Sequence, residues 1–256
     1  MCSPDHYEVS YEINPWMNKS IETAKKSAWT QWKHLHHFIL RLGGWVEYVH
    51  PQKGFPDMVF TANAGLIKDK RCVLSHFRYK ERQGEEPAFK NWFIEHGYEV
   101  CELKDCFFEG EGDALFAGDR LFAACGFRSD RASHQKIKSF FELKKVIACE
   151  LINPYFYHLD TCFAPIDQDT AIYFPQAFSA DSIEQMQKEI KLIPIEEEEA
   201  KKFACNCVIL GKDIIIPAGC FKTCDLLNNL GFNTHQVELD EFIKAGGAAK
   251  CLTLKL

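Results

Sequence analysis

The feature of this sequence that most restricts its fold is a pattern of predicted elements that recurs four times along the chain. Each copy reads as two short strands joined by a tight turn, followed by a helix and a third strand. The turns fall at residues 68–70, 118–119, 167–169 and 211–212, so successive copies lie about 50, 49 and 43 residues apart. This spacing is typical of propeller-like arrays, in which each repeat contributes one small sheet.

The pattern predicts bounds for three strands and one helix in each copy. The predicted strands are 58–67, 71–75, 98–103, 114–117, 120–125, 150–156, 161–166, 171–174, 191–195, 204–210, 213–217 and 234–239. The predicted helices are 85–97, 131–149, 180–190 and 222–230.

A fifth unit can be assembled from the two ends of the chain. Its predicted strands are 7–14, 45–49 and 250–256, and its predicted helix covers 19–42, which Gly43-Gly44 ends. Pairing of the two ends closes a ring of five ββαβ units. We therefore predict an α/β fold, a five-bladed α/β propeller, in a single domain that spans residues 1–256. An open α/β sandwich is the alternative.

Composition excludes several classes of protein. The formal net charge is −6, with 36 acidic and 30 basic residues, whereas nucleic-acid binders usually carry a basic surplus. No apolar run approaches the roughly 20 residues that span a bilayer, and the first residues do not read as a secretory signal. The twelve cysteines are then most simply reduced thiols of a cytoplasmic protein. We expect a small-molecule partner and neither nucleic acid nor membrane, and homo-oligomerisation stays open.

Polar side chains recur near the first strand of each copy, shortly before its turn. They are Asn63, then Glu109, Glu111 and Asp113, then His158 and Asp160, then Asn206, with Cys251 in the C-terminal strand. Each residue alone reads more readily as structural, but equivalent positions in a ring converge on its axis. Alternation along a strand would also place His158 and Asp160 on one face. A thiol, an imidazole and carboxylates in one cavity supply a nucleophile, an acid/base and a cation-binding group.

Six segments in this order carry a resemblance to a known superfamily. They are CSPDHY at 2–7, YEINPWM at 11–17, FTANAG at 60–65, FEGEGDAL at 108–115, HLDT at 158–161 and GGAAKCLTL at 246–254. On these segments the chain resembles the guanidino-modifying enzymes of the pentein superfamily. That superfamily includes arginine deiminases, dimethylarginine dimethylaminohydrolases, amidinotransferases and arginine dihydrolases.

The resemblance implies roles for individual residues. It makes Cys251 the nucleophile, His158 the general acid/base and Asp160 a ligand of the guanidinium. Glu109 best matches the second catalytic carboxylate, although Glu111, where relatives usually have a small residue, is an alternative. The residues that the resemblance places against substrate are Asn14, Phe60, Asn63 and Ala245, with Arg82 and Arg128 as candidates for the substrate carboxylate and Arg78 and Arg131 as alternatives.

The contexts of Asn14 and Asn63 look most like those of the arginine dihydrolase branch. This likeness implies conversion of free arginine to ornithine, carbon dioxide and two ammonia through a covalent thiouronium on the cysteine. Dimethylarginine dimethylaminohydrolase or arginine deiminase activity, giving citrulline, is the alternative, and a non-catalytic pentein binding protein is a further one. The chemistry requires no metal or organic cofactor. The pairs Cys205/Cys207 and Cys220/Cys224 lack the further ligand pair of a structural zinc site.

Overall fold

A computed structural model describes residues 1–256. It contains four three-stranded sheets, in each of which the middle strand pairs antiparallel with the first strand and parallel with the third. The strands are β1 Gly65–Lys68, β2 Arg71–Leu74, β3 Glu99–Glu102, β4 Ala114–Ala117, β5 Arg120–Cys125, β6 Val146–Glu150, β7 Phe163–Pro165, β8 Thr170–Tyr173, β9 Lys191–Pro194, β10 Val208–Leu210, β11 Asp213–Pro217 and β12 Asn233–Val237. The four sheets confirm the repeat that the sequence predicts.

Helices provide the crossover between the second and third strand of each sheet. The α-helices are α1 Lys25–Arg41, α2 Lys80–Gln83, α3 Glu86–Glu95, α4 Arg131–Phe140, α5 Ala180–Gln187, α6 Glu197–Ala200, α7 Phe221–Asn229 and α8 Asp240–Ile243. Gly97 and Gly231, with φ of 76° and 86°, follow α3 and α7 in the left-handed conformation that favours glycine. No helix combines the length and the apolar character that crossing a bilayer requires.

The predicted bounds are wrong for several elements of the repeats, including the strand 204–210, which begins only at Val208. The segment 58–67 is not one strand, because it forms two 3-10 turns, Pro56–Val59 and Thr61–Ala64, before β1 begins. The helix predicted over 131–149 ends at Phe140, and the following strand is β6 rather than 150–156. Burial explains why residues 146–150 form a strand and not the end of a helix, since Ile147 and Cys149 alternate with more exposed neighbours and pair with β5.

The fifth unit differs most from its prediction. Residues 7–14 and 250–256 form no strand, and the helix is shorter, since it begins at Lys25 rather than at 19. The strand 45–49 is reduced to a single parallel bridge between Cys2 and Val49. The amine of Met1 also donates to the carbonyl of Glu47 at 2.8 Å. The sheet of the fifth unit is therefore reduced to one bridge. Helix α1 lies between the two bridged segments in sequence, as the helix lies between the second and third strands in the other units. The single-domain organisation stays a prediction.

The polar residues singled out from the sequence mostly lie on turns that precede the first strands. Three of these turns are 3-10 helices, Thr61–Ala64, Gly110–Gly112 and Leu159–Thr161. The alternation argument for His158 and Asp160 is thus wrong, because these residues flank and enter a 3-10 turn rather than a strand. Glycine permits close packing of the turns: a Cβ at Gly110, where φ is 61°, would lie 2.7 Å from the carbonyl oxygen of Ala62.

Hydrogen bonds join each unit to the next around the centre of the molecule. The bonds are Asn63 Nδ2 to Glu109 O (3.2 Å), Leu159 N to Asp113 Oδ1 (3.3 Å), Asn206 Nδ2 to Asp160 O (3.0 Å), Cys251 N to Asn206 Oδ1 (3.1 Å) and Ala62 N to Cys251 O (3.1 Å). The last of these returns to the first unit, so the ring is closed. We call this set the closure ring.

Candidate active site

A narrow cavity lies at the centre, beside the closure ring. Eight of the residues selected from the sequence line it: Asn14, Phe60, Asn63, Arg82, Arg128, His158, Ala245 and Cys251. A much larger cavity, of about 1150 Å³, lies among the hairpin turns of the units. Cys205 and Cys207 line it but no histidine does, so the combination of a thiol with an imidazole belongs to the narrow cavity.

The thiol of Cys251 is buried against a carboxylate. Its Sγ lies 3.2 Å from Asp160 Oδ2, to which the thiol donates, and it accepts a hydrogen bond from Asn206 Nδ2 at 3.0 Å. Burial, followed by the charge of Asp160, raises the pKa of Cys251 well above its ordinary value. Burial and the neighbouring carboxylate therefore both favour the neutral thiol over the thiolate.

The carboxyl group of Asp160 is poised to accept a cation. It is fully buried, and burial raises its pKa to about 6, although His158 and Lys250 oppose that rise. Oδ2 accepts from the thiol, but Oδ1 has no hydrogen-bond partner. Neither Asp160 nor Glu109 is among the residues that line the narrow cavity, but Asp160 touches the Cys251 thiol that does. An unpaired buried carboxylate oxygen is costly, so a donor that reaches Oδ1 is bound favourably.

His158 is held by a carboxylate that is itself paired with an arginine. Its Nε2 lies 2.8 Å from Glu109 Oε2, which also accepts from Arg128 Nη1 at 2.9 Å. Although burial opposes it, the charges of Arg128 and His158 hold the pKa of Glu109 well below its usual range. The ionised Glu109 thus accepts the Nε2 proton and fixes both the tautomer and the orientation of the ring.

Glu111, the alternative to Glu109, points away from this cluster. Its carboxylate pairs with Lys250 Nζ and accepts from the backbone N–H of Lys255 at 3.1 Å. The side chains of the pair are only 8% and 15% exposed. Because Lys250 precedes the nucleophile, the pair ties the Cys251 segment to the second unit.

Breaking this pair on one side should destabilise the protein more than removing both charges. We expect Lys250→Met to lower the free energy of unfolding by about 3–5 kcal/mol, since the buried charge of Glu111 loses its cation and keeps only the N–H of Lys255. The double variant Lys250→Met/Glu111→Leu should regain most of that loss. Urea unfolding measures the difference, with Lys201→Met, from an exposed pair with Glu197, as a control that changes little. Equal losses in the single and double variants would contradict the expectation.

Of the four candidate arginines, two line the cavity. Arg82 donates through Nε and Nη2 to both oxygens of Glu85 and through Nη1 to Asn63 Oδ1 at 2.8 Å. Arg128 donates only to Glu109 and to the carbonyl of Ile13. Arg78 pairs with Asp130 at 2.5 Å outside the cavity, and Arg131 is exposed at the start of α4.

The amides of Asn63 and Asn14 are both fixed by hydrogen bonds. Asn63 accepts from Arg82 and donates one Nδ2 proton to the carbonyl of Glu109. Asn14 donates to the carbonyl of Ala245 at 3.0 Å and accepts from the backbone of Trp16 at 2.9 Å. These hydrogen bonds of Asn14 join the N-terminal segment beside the cavity to the loop that precedes Cys251.

Sequence reasoning did not select Asp57, which also lines the cavity and is only 2% exposed. Its Oδ1 accepts no hydrogen bond, and its Oδ2 lies 4.0 Å from Nε of Arg82. Burial raises the pKa of Asp57, and Arg82 opposes that rise. An acid inside the apolar run FPDMVF was the available signal.

Solved structures share this fold over nearly the whole chain. The N-terminal domain of ArgZ bound to substrate, described as an arginine dihydrolase from cyanobacteria, matches 99% of this chain and 96% of that one, with a TM-score of 0.96 and 48% identity. A variant of that domain is covalently bound to a reaction intermediate. A dimethylarginine dimethylaminohydrolase at 19% identity has a TM-score of 0.80 over 92% of this chain, which shows the fold. Fold and thiol-centred cavity together place the chain among proteins of the pentein fold.

Sequence comparison then gives the family. The family model for N,N dimethylarginine dimethylhydrolase, eukaryotic, matches residues 8–256, and the chain belongs to this family. The bifunctional arginine dihydrolase/ornithine cyclodeaminase ArgZ of Synechocystis sp. is 48% identical over all of this chain, which spans 37% of the length of that relative. The N(G),N(G)-dimethylarginine dimethylaminohydrolase of Mycobacterium tuberculosis is 38% identical over all of this chain and 84% of the relative.

Proposed function

We propose that the protein hydrolyses the guanidino group of free arginine, giving ornithine, carbon dioxide and two ammonia. The observation that carries the proposal is the contact between the Cys251 thiol and Asp160, whose second oxygen is buried and unpaired. A guanidinium bound to that oxygen places its electrophilic carbon beside the sulfur. The ArgZ relative, which shares 48% identity with this chain, supports arginine as the substrate.

The remaining groups of the cavity suit the amino-acid end of arginine. Arg128 uses two of its donor positions on protein atoms and keeps others for a substrate carboxylate, whereas Arg82 is nearly saturated. We therefore assign the carboxylate to Arg128 before Arg82. Oδ1 of Asp57, which accepts no hydrogen bond, suits the α-ammonium group.

The first half of the reaction needs one nucleophile and one proton carrier. His158 takes the thiol proton, and the Cys251 thiolate attacks the guanidinium carbon. The carbon–nitrogen bond then breaks, and the proton on His158 leaves with ammonia. A covalent thiouronium remains on the sulfur. His158 next removes a proton from water, which adds to the carbon, and the carbon–sulfur bond breaks to give the ureido group of citrulline.

A second round requires that the ureido group stays bound. The same thiol attack expels a second ammonia, and hydrolysis leaves a carbamate that loses carbon dioxide to give ornithine. Asn63 supports retention, because one Nδ2 proton is committed to Glu109 and the other is free for a carbonyl oxygen. The expected cytoplasmic location and the absence of nucleic-acid and membrane partners remain part of this proposal.

Product analysis tests the proposal directly. We expect the wild-type protein to release two ammonia and one ornithine per arginine, measured by mass spectrometry and an ammonia assay. Agmatine, which lacks the α-carboxylate, should react poorly because it offers Arg128 no partner. Citrulline with one ammonia would make the protein a deiminase. Dimethylamine from dimethylarginine, with no reaction of arginine, would assign it the activity of the Mycobacterium relative, and no turnover of any substrate would favour a binding protein.

A further inference from the structure

The amide of Asn206 contacts the nucleophile at both of its ends, and the chemistry above does not use it. Nδ2 donates to Cys251 Sγ and to the carbonyl of Asp160, both at 3.0 Å. Oδ1 accepts from the backbone N–H groups of Ala248 and Cys251, both at 3.1 Å. Asn206 is 0% exposed, so these bonds are shielded from bulk solvent.

This pattern fixes which end of the amide faces the sulfur. With the two ends exchanged, the NH₂ group would meet two backbone N–H donors and the oxygen would meet the carbonyl of Asp160. The end beside Cys251 Sγ is therefore a donor. Asn206 lies on the turn before β10, and its position in the fourth unit corresponds to those of Asn63 and Glu109 in the first two units.

A donor at this place acts on the ionisation of the thiol. Burial and the adjacent Asp160 disfavour the thiolate. Hydrogen bonds to an ionised acceptor are about twice as strong as those between neutral groups, so a fixed N–H stabilises thiolate more than thiol. The donor is preorganised, because its other contacts hold it in place before any charge develops.

We propose that Asn206 is a catalytic residue that stabilises the thiolate of Cys251 through Nδ2. It acts when the S–H bond breaks, with the electron pair left on sulfur and the proton on His158. It acts again when the carbon–sulfur bond breaks and that pair returns to sulfur. The substrate named here rests on the proposed function, but the effect on the thiol does not.

The experiment measures the ionisation of Cys251 without substrate. Asn206→Asp keeps an oxygen for the two backbone N–H groups but, once ionised, has no proton to donate. The rate of alkylation by iodoacetamide, followed between pH 6 and 11 on the peptide that contains Cys251, gives the apparent pKa. We expect that pKa to rise by about one unit or more and kcat on arginine to fall about 10- to 100-fold, with a smaller change in KM.

Two further variants separate this role from a structural one. Asn229→Asp, at the exposed end of α7 in the same unit, should leave alkylation and kcat unchanged. Asn206→Ser removes the amide donor without adding a charge and decides the matter if Asn206→Asp does not fold. An unchanged alkylation profile in a folded variant, or failure of both variants to fold, would overturn the proposal. A shifted profile in a protein inert toward arginine would refute the substrate alone.

Discussion

Replacement of Cys251 by Ala should reduce turnover of arginine to less than about a hundredth of the wild-type rate, because no other group in the cavity replaces a lost nucleophile. Only Cys251 supplies a thiol to the narrow cavity. Ammonia release measures the loss. Arginine should still raise the melting temperature of the variant, since the carboxylates and arginines that bind it remain.

Cys101→Ala is the matched control, because this partly exposed thiol on β3 lies outside the cavity and its loss should leave the rate unchanged. An alanine variant at position 251 that keeps more than about a hundredth of the activity would remove Cys251 from the mechanism. If the covalent intermediate were trapped on Cys220 instead of Cys251, the reaction would take place outside the narrow cavity.

Replacement of Asn63 by Ser or Asp should change the products rather than stop the reaction. Either variant loses the second Nδ2 proton, which we expect to hold the ureido oxygen, while Cys251, His158 and the carboxylates stay in place. Citrulline should therefore leave early, and ammonia per arginine should fall from about two toward about one, as one attack on the carbon replaces two. Quantitative amino-acid analysis of the mixture gives the ratio.

Asn229→Ser, on the surface of the fourth unit, serves as the control and should still yield ornithine. Variants of Asn63 that slow ornithine formation without releasing citrulline would show that the residue acts on the first attack. The two variants also differ in the hydrogen bond that Arg82 donates to residue 63. Asn63→Asp would keep a carboxylate oxygen in place of the amide oxygen, whereas the shorter side chain in Asn63→Ser would hold its oxygen farther from Arg82.

The outer parts of the units were predictable from sequence because short apolar runs bounded by turn residues determine them. The strands β4, β5 and β11 have the predicted bounds. Prediction failed near the axis, where 58–67 and 250–256 resemble strands in composition. Their backbone groups are satisfied partly by neighbouring units, as when Ala62 donates to Cys251, and no local pattern records such a partner.

The candidate site likewise has residues that the sequence predicts and residues that it does not. Residues that a family motif marks, such as His158 and Cys251, were found from sequence, and the structure places them beside one cavity. Asp57 was missed, and Asn206 was noted only as a polar residue of its unit. Their significance depends on the partner that another unit supplies. The contact between Glu109 and His158, which separates Glu109 from Glu111, likewise joins residues of different units.

The closure ring has a consequence for where the chain tolerates change. Each of its bonds belongs to two units, so no unit holds its own catalytic group in place without a neighbour. The hairpin turns, such as Lys68–Lys70 and Gly211, line the other cavity and take no part in the ring. Insertions, labels or a relocated pair of chain ends at those turns should leave the catalytic groups in register. A change of one residue in the length of a turn beside the axis would displace the groups of its own unit and of the units bonded to it.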